Sequence, residues 1–122
     1  DPTILERQLN STSSLLAGHV RAIRMTGSCC LAMCHVARGW ASCYFEYDVG
    51  GLWDVCAGII IVQEAGGVVQ HPDDGKDIVP CVSGKQKLSC GNATIVEVVR
   101  TQQAIKKNDS SSSSGSNKKR KH

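Results

Sequence analysis

The stretch over residues 52–67 constrains the fold of this chain more than any other part of the sequence. It opens with Trp53 and a single acid, Asp54, continues with small and apolar residues, and closes with Gly66 and Gly67. A long apolar run that ends in glycine is typical of a buried helix. An acid in the first turn either caps such a helix or faces a ligand or a cation, because the helix N-terminus favours negative charge. The local pattern leaves both roles for Asp54 open.

Strands and helices alternate in the rest of the chain. The predicted elements are a strand over residues 19–25, a helix over 29–38 capped by Thr26 or Ser28 and closed by Gly39, a strand over 43–47, the helix from Trp53 or Asp54 to about Ala65, strands over 68–71 and 87–90, and a last helix over 93–103. Residues 72–75 contain proline and glycine and predict a turn. This alternation favours an α/β or a layered α+β fold.

Composition divides the 122 residues into three segments. Residues 1–18 have weak helical character and no initiator methionine, so we expect them to continue from a missing half. Residues 19–105 are expected to form one domain with a modest core. Residues 106–122 hold six basic side chains, one acid and a serine run, which predicts a disordered tail. The basic cluster at 118–121 is either a nuclear-import or polyanion-binding signal or a solvated run.

Charge and cysteine content exclude several classes of protein. The formal net charge is +3, but the basic tail accounts for it, and the mildly acidic remainder does not favour a nucleic-acid partner. Seven cysteines, an odd number scattered among apolar residues, favour reduced thiols over a disulfide framework. No apolar run reaches the roughly 20 residues of a membrane helix. We therefore expect a cytoplasmic protein with no membrane segment.

Three features carry candidate chemistry: Asp54 at the helix start, Glu46 at the end of the preceding strand, and the turn Gly27, Ser28 and Cys29 before an earlier helix. Each feature also has an ordinary explanation. Asp54 can be a helix cap, Glu46 can be a solvated acid, and the glycine turn can be a simple connection. Two carboxylates separated by a glycine-rich loop can nevertheless share a metal ion or a polyol, since carboxylate oxygens are preferred ligands of Mg²⁺. A turn that leads into a helix N-terminus can also bind an anion.

Several motifs, in this order and spacing, resemble the C-terminal half of the inositol monophosphatase family over about residues 20–100. They are Ile23-Arg24-Met25-Thr26-Gly27-Ser28-Cys29-Cys30, Cys34-His35-Val36-Ala37-Arg38-Gly39, Tyr44-Phe45-Glu46, Trp53-Asp54-Val55-Cys56-Ala57-Gly58, Glu64-Ala65-Gly66-Gly67 and Ser89-Cys90-Gly91-Asn92. The Trp-Asp-x-x-x-Gly element followed by Glu-Ala-Gly-Gly is the most specific part of the resemblance.

The resemblance implies a layered αβαβα sugar-phosphatase-like fold, of which this chain is the C-terminal α/β half. It also implies Mg²⁺-dependent, lithium-sensitive hydrolysis of inositol monophosphate by a homodimer. By position, Asp54 resembles the aspartate that binds a metal ion and a substrate hydroxyl, and Glu46 resembles the glutamate that hydrogen-bonds the inositol ring. Gly27, Ser28 and Cys29 resemble the segment that lines the substrate pocket, where Cys29 replaces a smaller residue.

One family motif is missing from this sequence. The Asp-Pro-x-Asp-Gly-Thr motif, which supplies most metal ligands and positions the attacking water, has no counterpart in the chain. We therefore expect no catalytic residue within these residues and no activity from the isolated chain. Two alternatives stay open: a related phosphatase acting on a sugar phosphate, a bisphosphate nucleotide or fructose bisphosphate, and a non-catalytic truncated paralogue that acts as an interaction module.

Overall fold

The computed structural model describes residues 2–78 and 86–113. These residues form the helices α1 (Pro2–Leu16), α2 (Cys29–Ala37), α3 (Leu52–Glu64) and α4 (Ala93–Ser113) and the strands β1 (Cys43–Val49), β2 (Val68–Gln70) and β3 (Gln86–Gly91). The three strands make one antiparallel sheet in the order β1-β3-β2. Cys81 and the basic cluster at 118–121 lie outside the described residues.

Helices cover both faces of this sheet. On one face, helices α2 and α3 pack against each other, and Tyr44 of β1 contacts Cys29 of α2. On the other face, Tyr47 of β1 hydrogen-bonds to Ser11 of α1 at 3.2 Å, and α1 packs against α4. The described residues therefore form a helix–sheet–helix sandwich, which agrees with the layered α+β prediction; the antiparallel pairing decides against a parallel α/β sheet.

The main core lies between the sheet and helices α2 and α3. It is built from the buried residues Met33, Val49, Val55, Ile59, Val62, Val69, Leu88 and Cys90. A β-bulge contributes to it, because β1 has one residue more than β3 between the pairs Glu46–Leu88 and Val49–Gln86. The extra residue turns Val49 to the same face as Glu46, and Val49 thereby joins the core.

Local signals end most helices where the sequence predicts. The Ser28 hydroxyl accepts the Leu31 backbone N–H at the start of α2, and Gly39 follows the helix with a positive φ of 75°. Helix α4 follows Asn92, whose side-chain oxygen accepts the Thr94 N–H at 3.0 Å. Helix α4 continues ten residues beyond its predicted end, so the stretch 106–113 of the predicted disordered tail is helical. Neither proline nor glycine interrupts the sequence there.

The predicted strand over residues 19–25 is wrong. Within the described residues this segment pairs with no strand. The backbone N–H groups of His19 and Val20 both donate to the Leu15 carbonyl, so the start of the segment terminates α1 instead of entering the sheet. Met25, which the alternation assigned to an apolar face, is 90% exposed. Alternation favours an extended chain, but a strand also needs a neighbour for its hydrogen bonds.

None of the helices within the described residues is both long and apolar enough to cross a membrane.

Helices α2 and α3 approach each other closely where Met33 faces Gly58. A Cβ placed on Gly58 would lie 2.6 Å from Met33 Sδ and 3.0 Å from Met33 Cβ. Met33 is fully buried, so its side chain has little space into which it could move. Glycine at position 58 therefore sets the separation of the two helices and the placement of their N-terminal ends.

We expect Gly58→Ala to lower the free energy of unfolding by about 1–3 kcal/mol through overpacking. This loss opposes the gain in helix propensity, which favours alanine by about 1 kcal/mol. Urea unfolding of the two chains measures the difference. Cys56→Ala, an exposed change on the same helix, should stay within about 0.5 kcal/mol of the parent. The cost of Gly58→Ala should shrink in a Met33→Ala background; an undiminished cost there would contradict the proposed contact.

A cluster of three charged side chains ties α1 to the sheet. Arg7 of α1 donates to one Asp73 oxygen at 2.8 Å, and Lys87 of β3 donates to the other at 3.1 Å. Burial acts to raise the pKa of the Asp73 carboxyl, but the Lys87 hydrogen bond and the charges of Arg7 and Lys87 outweigh it and hold that pKa below its ordinary value. The carboxylate form is thus favoured in the folded state.

We expect Asp73→Asn to cost about 0.5–1 kcal/mol at neutral pH, the usual range for partly exposed ion pairs. Because the folded pKa is lowered, the contribution of Asp73 is present above the ordinary pKa and is lost as pH falls through the folded value. The free energies of unfolding of parent and variant, measured by urea at a series of pH values, should therefore converge in acid. Asp77→Asn, at an exposed position nearby, serves as the matched control. A constant difference across the series would contradict the role of the Asp73 charge.

Candidate functional site

A cleft of about 360 Å³ opens where the N-terminal ends of α2 and α3 meet. Its lining consists of Gly27, Ser28, Cys29, Cys30, Trp53 and Asp54. Four of these residues were predicted at the site from two separate motifs, and the fold brings them to one place. Cys30 and Trp53 belong to the same motifs but had no predicted role. Trp53 is 73% exposed, so its ring stands at the edge of the cleft with a face open to solvent.

Asp54 lies in the first turn of α3 but does not cap it. The cap position is Gly51, and no side chain makes a capping hydrogen bond there. The glycine loop lies directly against the carboxylate: a Cβ on Gly50 would be 2.5 Å from Asp54 Oδ2. The capping alternative for Asp54 is therefore not realised, and its half-buried carboxylate is part of the cleft wall.

Glu46 is not among the residues that line the cleft, but a hydrogen-bonded residue connects it to the cleft wall. The Tyr44 hydroxyl donates to Glu46 Oε2 at 3.2 Å, and the same hydroxyl oxygen lies 3.1 Å from Cys29 Sγ. Tyr44 is the functional residue that the sequence reasoning missed. The signal was available, because residues two apart on a strand share a face, so Tyr44 had to point the same way as Glu46.

The surroundings of Cys29 favour its neutral thiol. Partial burial raises the pKa of this thiol, and the negative charges of Glu46 and Asp54 raise it further. The net direction is upward. Burial, together with the charge of Glu46 and the hydrogen bond that Tyr44 donates to it, also raises the pKa of Tyr44. Because a thiolate is required for nucleophilic attack, Cys29 is placed as a hydrogen-bonding group and not as a nucleophile.

The described residues do not form a magnesium site by themselves. No group of three or more histidine, cysteine, aspartate or glutamate side chains in this part of the chain could hold a metal ion. Asp54 contributes the carboxylate that lines the cleft. Asp73 and Asp74, in the turn after β2, do not line the cleft and form ion pairs with basic side chains instead. Mg²⁺ binding in proteins needs more oxygen ligands than this cleft supplies.

Known proteins resemble this chain both in sequence and in structure. The chain is 48% identical over 77 residues to the inositol monophosphatase of Mesembryanthemum crystallinum, an alignment that covers 63% of this chain and 28% of that protein. The crystal structure of the extragenic suppressor protein suhB from Bartonella henselae superposes with a TM-score of 0.70 at 31% identity, covering 80% of this chain and 36% of that one. The chain thus spans only about a third of the length of these relatives.

Two structures of the protein SaIMPase-II share the fold. The one with bound inositol monophosphate has a TM-score of 0.63 at 23% identity and covers 74% of this chain and 34% of that chain. The one with bound 2′AMP has a TM-score of 0.59 at 25% identity and covers 66% of this chain and 30% of that chain. The sequence model of the inositol monophosphatase family matches residues 3–110. With most of its length inside that match, the chain belongs to the inositol monophosphatase family.

Proposed function

We propose that this chain forms the substrate-recognition part of a Mg²⁺-dependent phosphatase that hydrolyses inositol monophosphate to inositol and phosphate. The observation that carries the proposal is the cleft in which Gly27, Ser28, Cys29 and Asp54 meet, with Glu46 connected to it through one tyrosine. The binding of inositol monophosphate by SaIMPase-II, a protein of the same fold, supports this substrate.

Each of these groups suits one part of such a substrate. The start of α2 at Ser28 presents the positive end of the helix dipole to the cleft, which favours a phosphate group. The carboxylates of Glu46 and Asp54 accept hydrogen bonds and therefore suit the hydroxyl groups of a polyol ring. The groups at and next to the cleft thus suit both the phosphate and the ring hydroxyls of such a substrate.

Magnesium enters the proposal through Asp54 alone. We assign this residue as one ligand of the ion, and the further ligands lie outside the described residues, because no group suited to a metal ion occurs within them. We assign no catalytic residue to this chain. The cytoplasmic location belongs to the proposal as well, and the six free cysteines among the described residues support it, since free thiols suit a reducing compartment. Lithium sensitivity and a homodimer complete the proposal by family resemblance.

Two alternatives have an observation in their favour. The structure of SaIMPase-II with bound 2′AMP favours a related small phosphate monoester as substrate. The lack of a metal-binding group within the described residues favours a non-catalytic interaction module. Comparing Mg²⁺-dependent hydrolysis of inositol monophosphate and of 2′AMP by the complete protein separates the three functions, because an interaction module would hydrolyse neither.

We expect the 122-residue chain alone to release no phosphate from inositol monophosphate above the rate in buffer, with or without Mg²⁺. Two-metal phosphate chemistry needs several carboxylates around the ions, and the cleft supplies Asp54. A phosphate-release assay checks the activity, and a calorimetric Mg²⁺ titration checks binding. Hydrolysis well above buffer, abolished by Asp54→Asn, would show that this chain holds a complete site and would contradict the prediction.

In the complete protein, we expect Asp54→Asn to lower kcat for inositol monophosphate roughly a hundredfold or more, the size expected for weakened metal stabilisation of the transition state. Steady-state kinetics at saturating Mg²⁺ measure the effect. Asp77→Asn is the matched control, since Asp77 is an exposed acid that does not line the cleft. Equal kcat values for the two variants would remove Asp54 from the proposed site.

A further inference from the structure

Tyr44 lies between the cleft and Glu46 and makes a hydrogen bond in each direction. Its hydroxyl oxygen is 3.1 Å from the Sγ atom of Cys29, which lines the cleft, and 3.2 Å from Oε2 of Glu46. Its ring packs against the buried core between the sheet and helices α2 and α3. The hydroxyl is therefore held in place by a side chain that has little freedom to move.

The chemistry of the three groups fixes the direction of both hydrogen bonds. An ionised carboxylate only accepts, so the single hydroxyl hydrogen of Tyr44 is donated to Glu46. The Tyr44 oxygen then has lone pairs but no hydrogen left for Cys29, and the Cys29 thiol must be the donor in that contact. The result is an ordered chain of donors that begins at the cleft wall and ends on Glu46.

This hydrogen-bonded chain of side chains has a consequence for the binding of a ligand. A glutamate side chain on a half-exposed strand loses rotamer freedom when it binds a ligand, and that loss weakens binding. A hydrogen bond from a fixed tyrosine removes part of this freedom before the ligand arrives. It occupies one oxygen of Glu46 and leaves Oε1 and the remaining lone pairs available to accept hydrogen bonds from ligand hydroxyls.

We propose that Tyr44 is a positioning residue for polyol recognition, which accepts a hydrogen bond from the Cys29 thiol and orients the Glu46 carboxylate toward the hydroxyl groups of the substrate. The role of Glu46 in this inference rests on the proposed function, whereas the hydrogen-bonded chain itself does not. Tyr44 acts through Glu46 and takes no part in the reaction.

The first experiment tests the hydrogen-bonded chain in the 122-residue protein through the pH dependence of Cys29 alkylation by iodoacetamide. Mass spectrometry with fragment ions separates Cys29 from Cys30. The charged and titratable groups that face Cys29 are Tyr44, Glu46, Asp54 and Cys30. Tyr44→Phe should move the alkylation midpoint downward, because the neutral Cys29 thiol loses the acceptor of its hydrogen bond. Glu46→Gln should move it downward, because a nearby negative charge is removed.

Tyr47→Phe is the matched control for this experiment. Tyr47 is also a tyrosine of β1, and its hydroxyl hydrogen-bonds to Ser11 on the opposite face of the sheet. The variant removes one hydrogen-bonded hydroxyl of the same strand but should leave the alkylation of Cys29 unchanged. In a Tyr44→Phe background, the effect of Glu46→Gln should become smaller, since part of it passes through the tyrosine. If Tyr44→Phe and Tyr47→Phe both reproduce the parent profile, the chain of hydrogen bonds is overturned.

The second experiment tests the positioning role in the complete phosphatase. Tyr44→Phe should raise KM for inositol monophosphate about tenfold, as expected for a lost hydrogen bond to a charged group, and change kcat less than about twofold. With p-nitrophenyl phosphate, which has no ring hydroxyls, KM should not change. A lower kcat with unchanged KM for both substrates would overturn the positioning role. Failure of the parent enzyme to hydrolyse inositol monophosphate would instead overturn the proposed function, and the alkylation profile would still decide the hydrogen-bonded chain.

Discussion

The close packing of α2 on α3 is the contact on which the rest of this structure depends. Met33 and Gly58 allow the two helices to approach each other, and both helices bury an apolar face against the sheet. Their N-terminal ends then lie side by side, and the cleft forms between them. A larger residue at position 58 would separate the helices and thereby move Asp54 away from Cys29. A packing constraint in the core is thus also a constraint on the site.

The side chains at the cleft are suited to hydrogen bonding. Cys29 is kept as a neutral thiol by burial and by the nearby carboxylates, and Tyr44 is kept as a neutral phenol for similar reasons. Cys29 donates to Tyr44 and Tyr44 donates to Glu46, while Asp54 contributes a carboxylate to the cleft wall. Such a site can bind hydroxyl groups and an anion, but it lacks the group of ligands that metal-dependent hydrolysis needs within the described residues. The presence of binding groups without a set of metal ligands agrees with a chain that spans about a third of the length of its relatives.

The ends of most elements could be predicted because local residues determine them. Ser28 and Gly39 bound α2 through a side-chain cap and a left-handed backbone conformation, both of which are encoded within a few residues. The segment over residues 19–25 was predicted wrongly because its alternation is local, whereas a sheet needs a partner strand. The end of α4 was predicted too early because a change to polar composition does not by itself stop a helix.

The sequence by itself determined the alternation of helices and strands, the helix that begins near Asp54, and the family to which the chain belongs. It also singled out four of the six residues that line the cleft, since their motifs are short and specific. Only the tertiary structure decided that Gly27, Ser28 and Cys29 share one cleft with Asp54 and that Tyr44 connects this cleft to Glu46. Contacts between residues far apart in the chain depend on how two elements pack together, and no local pattern records the distance or the angle of that packing.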